Sequence, residues 1–234
     1  MHIGGESFLD RIRPHIKEIL VGAVVVAVIA STIALVSYFR QRKQEDATEK
    51  LDAVLEVAQR PIRGKDEKVD PAKPSFADAK ERANAILDAM TKQGTELAGA
   101  AYRGGLLLDA GKPDEAIAEY KKGAADKASE KTIEGVLCRE GLGLALEAKA
   151  AAEKDVTARQ KGFEDALAAF VAEQPDDTGP RYAYALYHQG RLQQLLGKRT
   201  EAKALFDKAK TANKEADREL ADQIEKRLAA LGAT

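Results

Sequence analysis

The sequence predicts an all-α protein, with an N-terminal transmembrane helix followed by a stack of paired helices. Three observations carry that reading. Residues 19–39 run without a charge or a proline. The remainder is heavy in Ala, Leu, Glu, Lys and Asp and poor in β-branched residues, a helix-forming composition. One spacing of small residue, glycine, alanine and aromatic occurs twice unchanged and once stretched.

Residues 1–18 read as a short tail carrying Arg11, Arg13 and Lys17. Phe8, Leu9, Ile12 and Ile16 have helical spacing, so the tail either lies along a membrane surface or is a frayed terminus. Residues 19–39 are the span: 21 residues at a helical rise of about 1.5 Å cover roughly 31 Å, the thickness of a hydrocarbon core. Ser31, Thr32 and Ser37 can bond back to the preceding turn, Gly22 is tolerated in lipid, and Tyr38 sits at interfacial depth. Arg40, Arg42 and Lys43 end the run. A cleaved signal with Val28-Ile29-Ala30 at its end is the alternative, but nine apolar or uncharged residues and then a basic cluster follow Ala30. An uncleaved anchor is expected. Basic residues are balanced across the span, so length orients it: the short tail in the cytoplasm, the large domain across the membrane.

Residues 40–94 comprise a polar helix, a proline-rich loop and a first helical unit. Leu51, Val54, Leu55 and Ala58 recur at three- and four-residue steps, and the span can run straight into this helix. Residues 60–74, with three prolines and charges of alternating sign, read as a solvated loop. Ser75 is the expected N-cap of a helix beginning near Phe76, with Asp78 in its first turn and Ala79, Ala83, Ile86, Leu87 and Met90 on its buried side.

Residues 95–234 hold the repeat. Gly104 and Ala116 are 12 apart, with Gly111 between them and Tyr120 four beyond; Gly190, Gly197, Ala202 and Phe206 reproduce those offsets. A small residue lets a second helix approach, glycine permits the reversal, and alanine with an aromatic fills the gap. A stretched copy joins Leu137, Gly141 and Leu144 to Ala166 and Phe170. Its glycine-to-alanine interval is 25, thirteen longer, with the added residues around Ala150 to Gln160 expected to lengthen both helices. This pattern resembles the tetratricopeptide repeat, closely over 95–125 and 180–212 and more loosely over 130–175. It departs at Ala100 and Leu186, where that repeat has a large residue near its start. The resemblance implies an α-solenoid, closed here by a helix with Ala221, Ile224, Leu228 and Leu231 on one side.

Composition excludes several chemistries. A net charge of -1 gives no basic excess for nucleic acid. Cys138 is the single cysteine and forms no internal disulfide, and His2, His15 and His188 are too scattered for a metal site. Gly190 to Lys198 imitates a phosphate loop, but the glycines are seven apart and Arg199 stands where Ser or Thr must hold magnesium. Asp114-Glu115 and Asp176-Asp177 read as a helix start and a turn. The expectation is no enzyme, no cofactor and no small-molecule substrate.

A protein-binding surface remains. Tyr184, Tyr187, Arg191 and Gln194 fall on one helix face, at offsets which in tetratricopeptide repeats point into the concave groove. Packing of the tyrosines against the neighbouring unit is the competing reading. The small residues Ala23, Ala27 and Ser31 also align within the span, as chance allows in so alanine-rich a segment. The whole layout is similar to the ancillary subunits of the bacterial Sec translocon: short tail, single span, polar helix, proline-rich loop, tetratricopeptide-like helices. Membership implies an inner-membrane protein whose periplasmic domain meets translocon subunits, periplasmic chaperones and secreted client chains. The alternatives are a scaffold for another envelope machine, in cell division or outer-membrane assembly, and a cytoplasm-facing adaptor of reversed topology.

Overall fold

The computed structural model describes residues 16–64, 70, 72–94, 98–214 and 216–232, the side chains of 16–30 and 32–34 excepted. Among them the regular structure is helical, apart from one parallel bridge between Ile62 and Phe76. The chain forms two compact units, Met1–Asp52 and Ala53–Thr234.

The first unit contains most of helix α1, Ile16–Ala58, which is unbroken over 43 residues and ends within the second unit. The expected run of apolar segment into polar helix therefore holds for the backbone. Among the described residues no helix is long and apolar enough to cross a membrane. Most side chains of the segment 19–39 lie outside the described ones, as does the tail up to residue 15. At the segment's end Leu35, Val36, Tyr38 and Phe39 are exposed, and the Arg42 guanidinium lies 5.6 Å over the Tyr38 ring. Further along, Gln41 donates to Glu45 at 3.0 Å, a bond between neighbouring turns that supports a solvated helix.

In the second unit the end of α1 packs through Val54, Val57 and Ala58, whereas Leu55 is 41% exposed, as is Leu51 at the end of the first unit. A 3.6-residue period leaves two adjacent stripes open, and the partner helix decides which is covered. That partner is α2, Ala79–Gln93, with Ala83, Ile86 and Met90 buried and Leu87 partly so, while Ala79 is exposed. Arg82 ties the two together by donating from Nη2 to the Ala58 carbonyl at 2.7 Å, satisfying an orphan acceptor at the end of α1.

Helix α2 begins three residues later than expected from Ser75. Phe76 is held extended beside the Pro61–Arg63 strand: its N–H donates to Pro61 at 2.9 Å and its carbonyl accepts from Arg63 at 2.8 Å. The cap passes to Asp78, whose carboxylate accepts from the Glu81 N–H at 2.7 Å. Glu81 reaches back to the Ala77 N–H, completing a reciprocal capping arrangement.

Three hairpins follow. Helices α3 (Ala100–Asp109) and α4 (Pro113–Ala125) form the first, α5 (Ile133–Ala152) and α6 (Val156–Glu173) the second, α7 (Tyr182–Leu195) and α8 (Arg199–Asn213) the third. Helix α9, Arg218–Gly232, packs on α8. Each helix from α2 onward touches its successor, and α3 also touches α5. Gly111 and Gly197 turn the first and third hairpins with φ of 75° each, a conformation costly for any residue with a Cβ. The first helix of the stretched hairpin has 20 residues and the second 18, so the added chain does lengthen both helices. Ala145 and Ala150 are buried, and Gly162 faces Ala150 so closely that a Cβ there would stand 2.6 Å from the alanine methyl.

The aromatic of each second helix enters a notch left by glycine. A Cβ on Gly104 would lie 2.5 Å from the Tyr120 ring, one on Gly143 2.6 Å from Phe170, and one on Gly190 2.8 Å from Phe206. In the stretched unit the facing glycine is thus Gly143, not Gly141. Gly143 stands 27 residues before Phe170, against 16 for the other two pairs, so eleven residues are inserted rather than thirteen. Gly141 instead faces Tyr120 of the preceding hairpin, where a Cβ would lie 2.2 Å from the ring. At the C-terminus α9 buries Leu220 and Ile224 and partly covers Leu228 and Leu231, with Asp222, Glu225 and Lys226 facing outward.

Candidate functional site

The four residues of the expected groove do share α7, and each is engaged inside the protein. Tyr187 is 6% exposed and belongs to the core, its ring 5.9 Å from that of Phe206. Tyr184 donates its hydroxyl to the Asp217 carboxylate at the start of α9, while the Arg181 guanidinium lies 3.6 Å over its ring. That bond, together with burial, pushes the Tyr184 hydroxyl above its ordinary range; the same bond from Tyr184 holds Asp217 below its own, against the effect of burial. Arg191 pairs with Glu147 of α5 at 2.5 Å. Gln194 accepts from Arg227 of α9 at 3.5 Å. Tyr184, Arg191 and Gln194 are half-buried, forming a polar ladder from α5 across α7 to α9 above the buried Tyr187.

At the α5 end of the ladder lies a buried ionisable cluster that the sequence reading passed over. Glu140 of α5 is 7% exposed and accepts both arms of Arg181, the Nε–H at 2.8 Å. His188 of α7 places Nε2 3.4 Å from the same carboxylate and stacks on Phe170, ring centroids 4.6 Å apart. Glu173, the last residue of α6, is 0% exposed, and neither carboxylate oxygen accepts a hydrogen bond from any described residue.

The protonation states follow from these contacts. Burial and the Glu140 charge push the Glu173 carboxyl up to about 9, so at neutral pH it is an uncharged acid beside the Glu140 carboxylate. Its place at a helix C-terminus, the negative end of the dipole, acts in the same direction. Burial also penalises the Glu140 charge, but the bonds from His188 and Arg181 outweigh it and hold that carboxyl below its usual range. Burial lowers His188, leaving a neutral imidazole whose buried Nδ1 has no donor among the described residues. The hydrogen therefore sits on Nε2, facing Glu140. One full ion pair, one neutral acid and one neutral imidazole make a self-consistent set.

The sequence carried a faint signal for Glu140 alone: it falls on the same stripe as Val136 and Gly143, which the packing buries. Glu173, Arg181 and His188 gave none, because their partners lie 33 to 48 positions away. Among the described residues no three His, Cys, Asp or Glu side chains are placed to hold a metal ion. Cys138 is buried, and burial pushes its thiol up to about 11, which leaves it protonated and unreactive at neutral pH. An open cleft of about 460 Å³ lies between α7 and α8, floored by Tyr182, Leu186 and Ala212 and rimmed by Asp207, Lys208 and Lys214.

No protein-family model and no curated protein matches this sequence.

Proposed function

We propose that this chain is a membrane-anchored protein–protein interaction module of tetratricopeptide type, which acts by contact and catalyses no reaction. The carrying observation is the repeated wedge: Tyr120, Phe170 and Phe206 each enter a glycine notch on the preceding helix of their hairpin. Such hairpins bury their faces only by stacking, and stacks of this kind serve as binding scaffolds. The anchor rests on the uncharged segment 19–39 with its basic stop. The exposed Leu35, Val36 and Phe39 at its end are apolar side chains that a bilayer would cover.

In this reading the short tail is cytoplasmic, the span crosses the bacterial inner membrane once, and the stacked hairpins work in the periplasm. Their partners are Sec translocon subunits, periplasmic chaperones and emerging client chains. The Tyr184, Arg191 and Gln194 ladder is the recognition edge, with Tyr187 supporting it from the core.

A photo-reactive residue at Gln194, activated in intact membranes, tests the assignment. Adducts with translocon subunits or periplasmic chaperones are expected. Division or outer-membrane assembly proteins captured instead would transfer the module to another envelope machine. Recovery of the full-length chain in the aqueous fraction after cell breakage would remove the anchor, and protease protection of the C-terminal unit in spheroplasts would reverse the topology.

A further inference from the structure

A buried carboxyl with two unpartnered oxygens is far costlier as an anion than as an acid. Glu173 occupies the seam where the second hairpin meets the third. Its backbone carbonyl accepts from Arg139 of α5 at 2.9 Å, and the nearby Phe170 carbonyl accepts from Gln189 of α7 at 3.2 Å. The end of α6 is thereby tied to both neighbours through groups that surround the buried acid. Facing the seam from α5 are Arg139, Glu140 and Glu147; from α7 and its N-cap come Arg181, Tyr184, His188 and Arg191; α9 contributes Asp217 through Tyr184. Only one carboxylate in this set, Glu140, holds the Arg181 fork. A second negative charge at Glu173 would stand beside Glu140 with no hydrogen bond of its own.

We propose that Glu173, with Glu140, Arg181 and His188, is a proton-operated latch that holds the α7–α9 segment on the α5–α6 hairpin while Glu173 carries its proton and releases it when the proton leaves. The closed seam keeps the proton and the opened seam exposes an ordinary glutamate that gives it up. Raising the pH therefore favours the open form, from the ordinary carboxyl range up to the folded value of about 9. Glu140 and His188 have the opposite sign: the fold prefers the charged carboxylate and the neutral imidazole, so both loosen the seam only in acid. Between those limits Glu173 alone sets the slope. Opening is legible in the backbone, because a helix of 14 residues parted from its neighbours is marginal in water. The latch stands independently of which partner the module binds.

Hydrogen exchange of the full-length chain between pH 7 and 8.5, corrected for intrinsic rates, reads it directly. One proton released per opening means about tenfold loss of protection per pH unit, roughly thirtyfold over that interval, in α7 and the last turn of α6. Helices α3 and α4 should change far less, and Glu173→Gln, which keeps the shape without the charge, should flatten the slope in α7. The same pH slope in Glu173→Gln, or equal loss in every helix, would overturn the latch. A second measurement needs no variant: the infrared band of a protonated carboxylic acid should be present at pH 7 and disappear on titration near pH 9. Its absence at pH 7 would overturn the proposal equally.

Discussion

Two adjacent glycines of α3 should respond to the same substitution with opposite signs. The Tyr120 ring, 4% exposed, lies between Gly104 on α3 and Gly141 on α5. In Gly104→Ala the new methyl would meet three ring atoms at 2.5, 2.6 and 2.7 Å, where carbon atoms normally rest at about 3.5–4.0 Å. The ring must retreat by about 1 Å, and the same ring atoms already lie close against Gly141. Overpacking of this kind costs about 1–3 kcal/mol, against about 1 kcal/mol gained in helix propensity. A net loss of up to about 2 kcal/mol is expected. In Gly105→Ala the nearest atom is the Tyr120 hydroxyl at 3.7 Å, an ordinary contact, so the propensity gain of roughly 0.5–1 kcal/mol stands alone. Urea denaturation of the two full-length variants, followed by circular dichroism, should separate them by the overpacking cost alone, about 1–3 kcal/mol, or roughly 2–12 °C in melting temperature. If Gly104→Ala proves as stable as Gly105→Ala, the tyrosine is not wedged where the packing places it.

Phe206 is 0% exposed at the centre of the last cluster, and Phe206→Ala should cost about 3–5 kcal/mol in the same assay; a loss below about 1 kcal/mol would contradict that burial. Glu134 caps α3 from a neighbouring helix, its carboxylate accepting the Ala101 N–H at 2.9 Å where the helix's own N-cap, Gly99, offers no side chain. Glu134→Ala should therefore cost about 1 kcal/mol, with exchange protection lost first at the start of α3. Glu140 is held below its usual carboxyl range, so its contribution is present above that range and fades as pH falls through the lowered folded value. Wild type should exceed Glu140→Gln in urea midpoint at pH 7 and converge with it in acid; a constant gap would disprove the linkage. Arg191→Ala with Glu147→Ala, compared with the single changes, should reveal a coupling near 1 kcal/mol for this half-buried pair.

What the sequence made legible is local. Gly111 and Gly197 announce reversals because a positive φ is a single-residue property, and Gly104–Tyr120 and Gly190–Phe206 announce contacts because both partners lie in one hairpin. Asp78 was visible as a helix-start residue, yet Ser75 competed for the cap until the bridge from Phe76 to Ile62 drew the chain out straight. Tyr187 and Tyr184, three residues apart on the same face, could not be told apart by periodicity, and one is core while the other reaches Asp217.

By itself the sequence determined the helical class, the order of the hairpins and the uncharged segment ahead of them, since composition and short-range spacing suffice for each. Tertiary structure alone decided which stripe of α1 is covered, that Gly143 rather than Gly141 receives Phe170, and that Glu173 is sealed beside Glu140. Those outcomes depend on surfaces brought together from dozens of residues apart. A glutamate carries no mark in its local pattern of whether water or another carboxyl will be its neighbour.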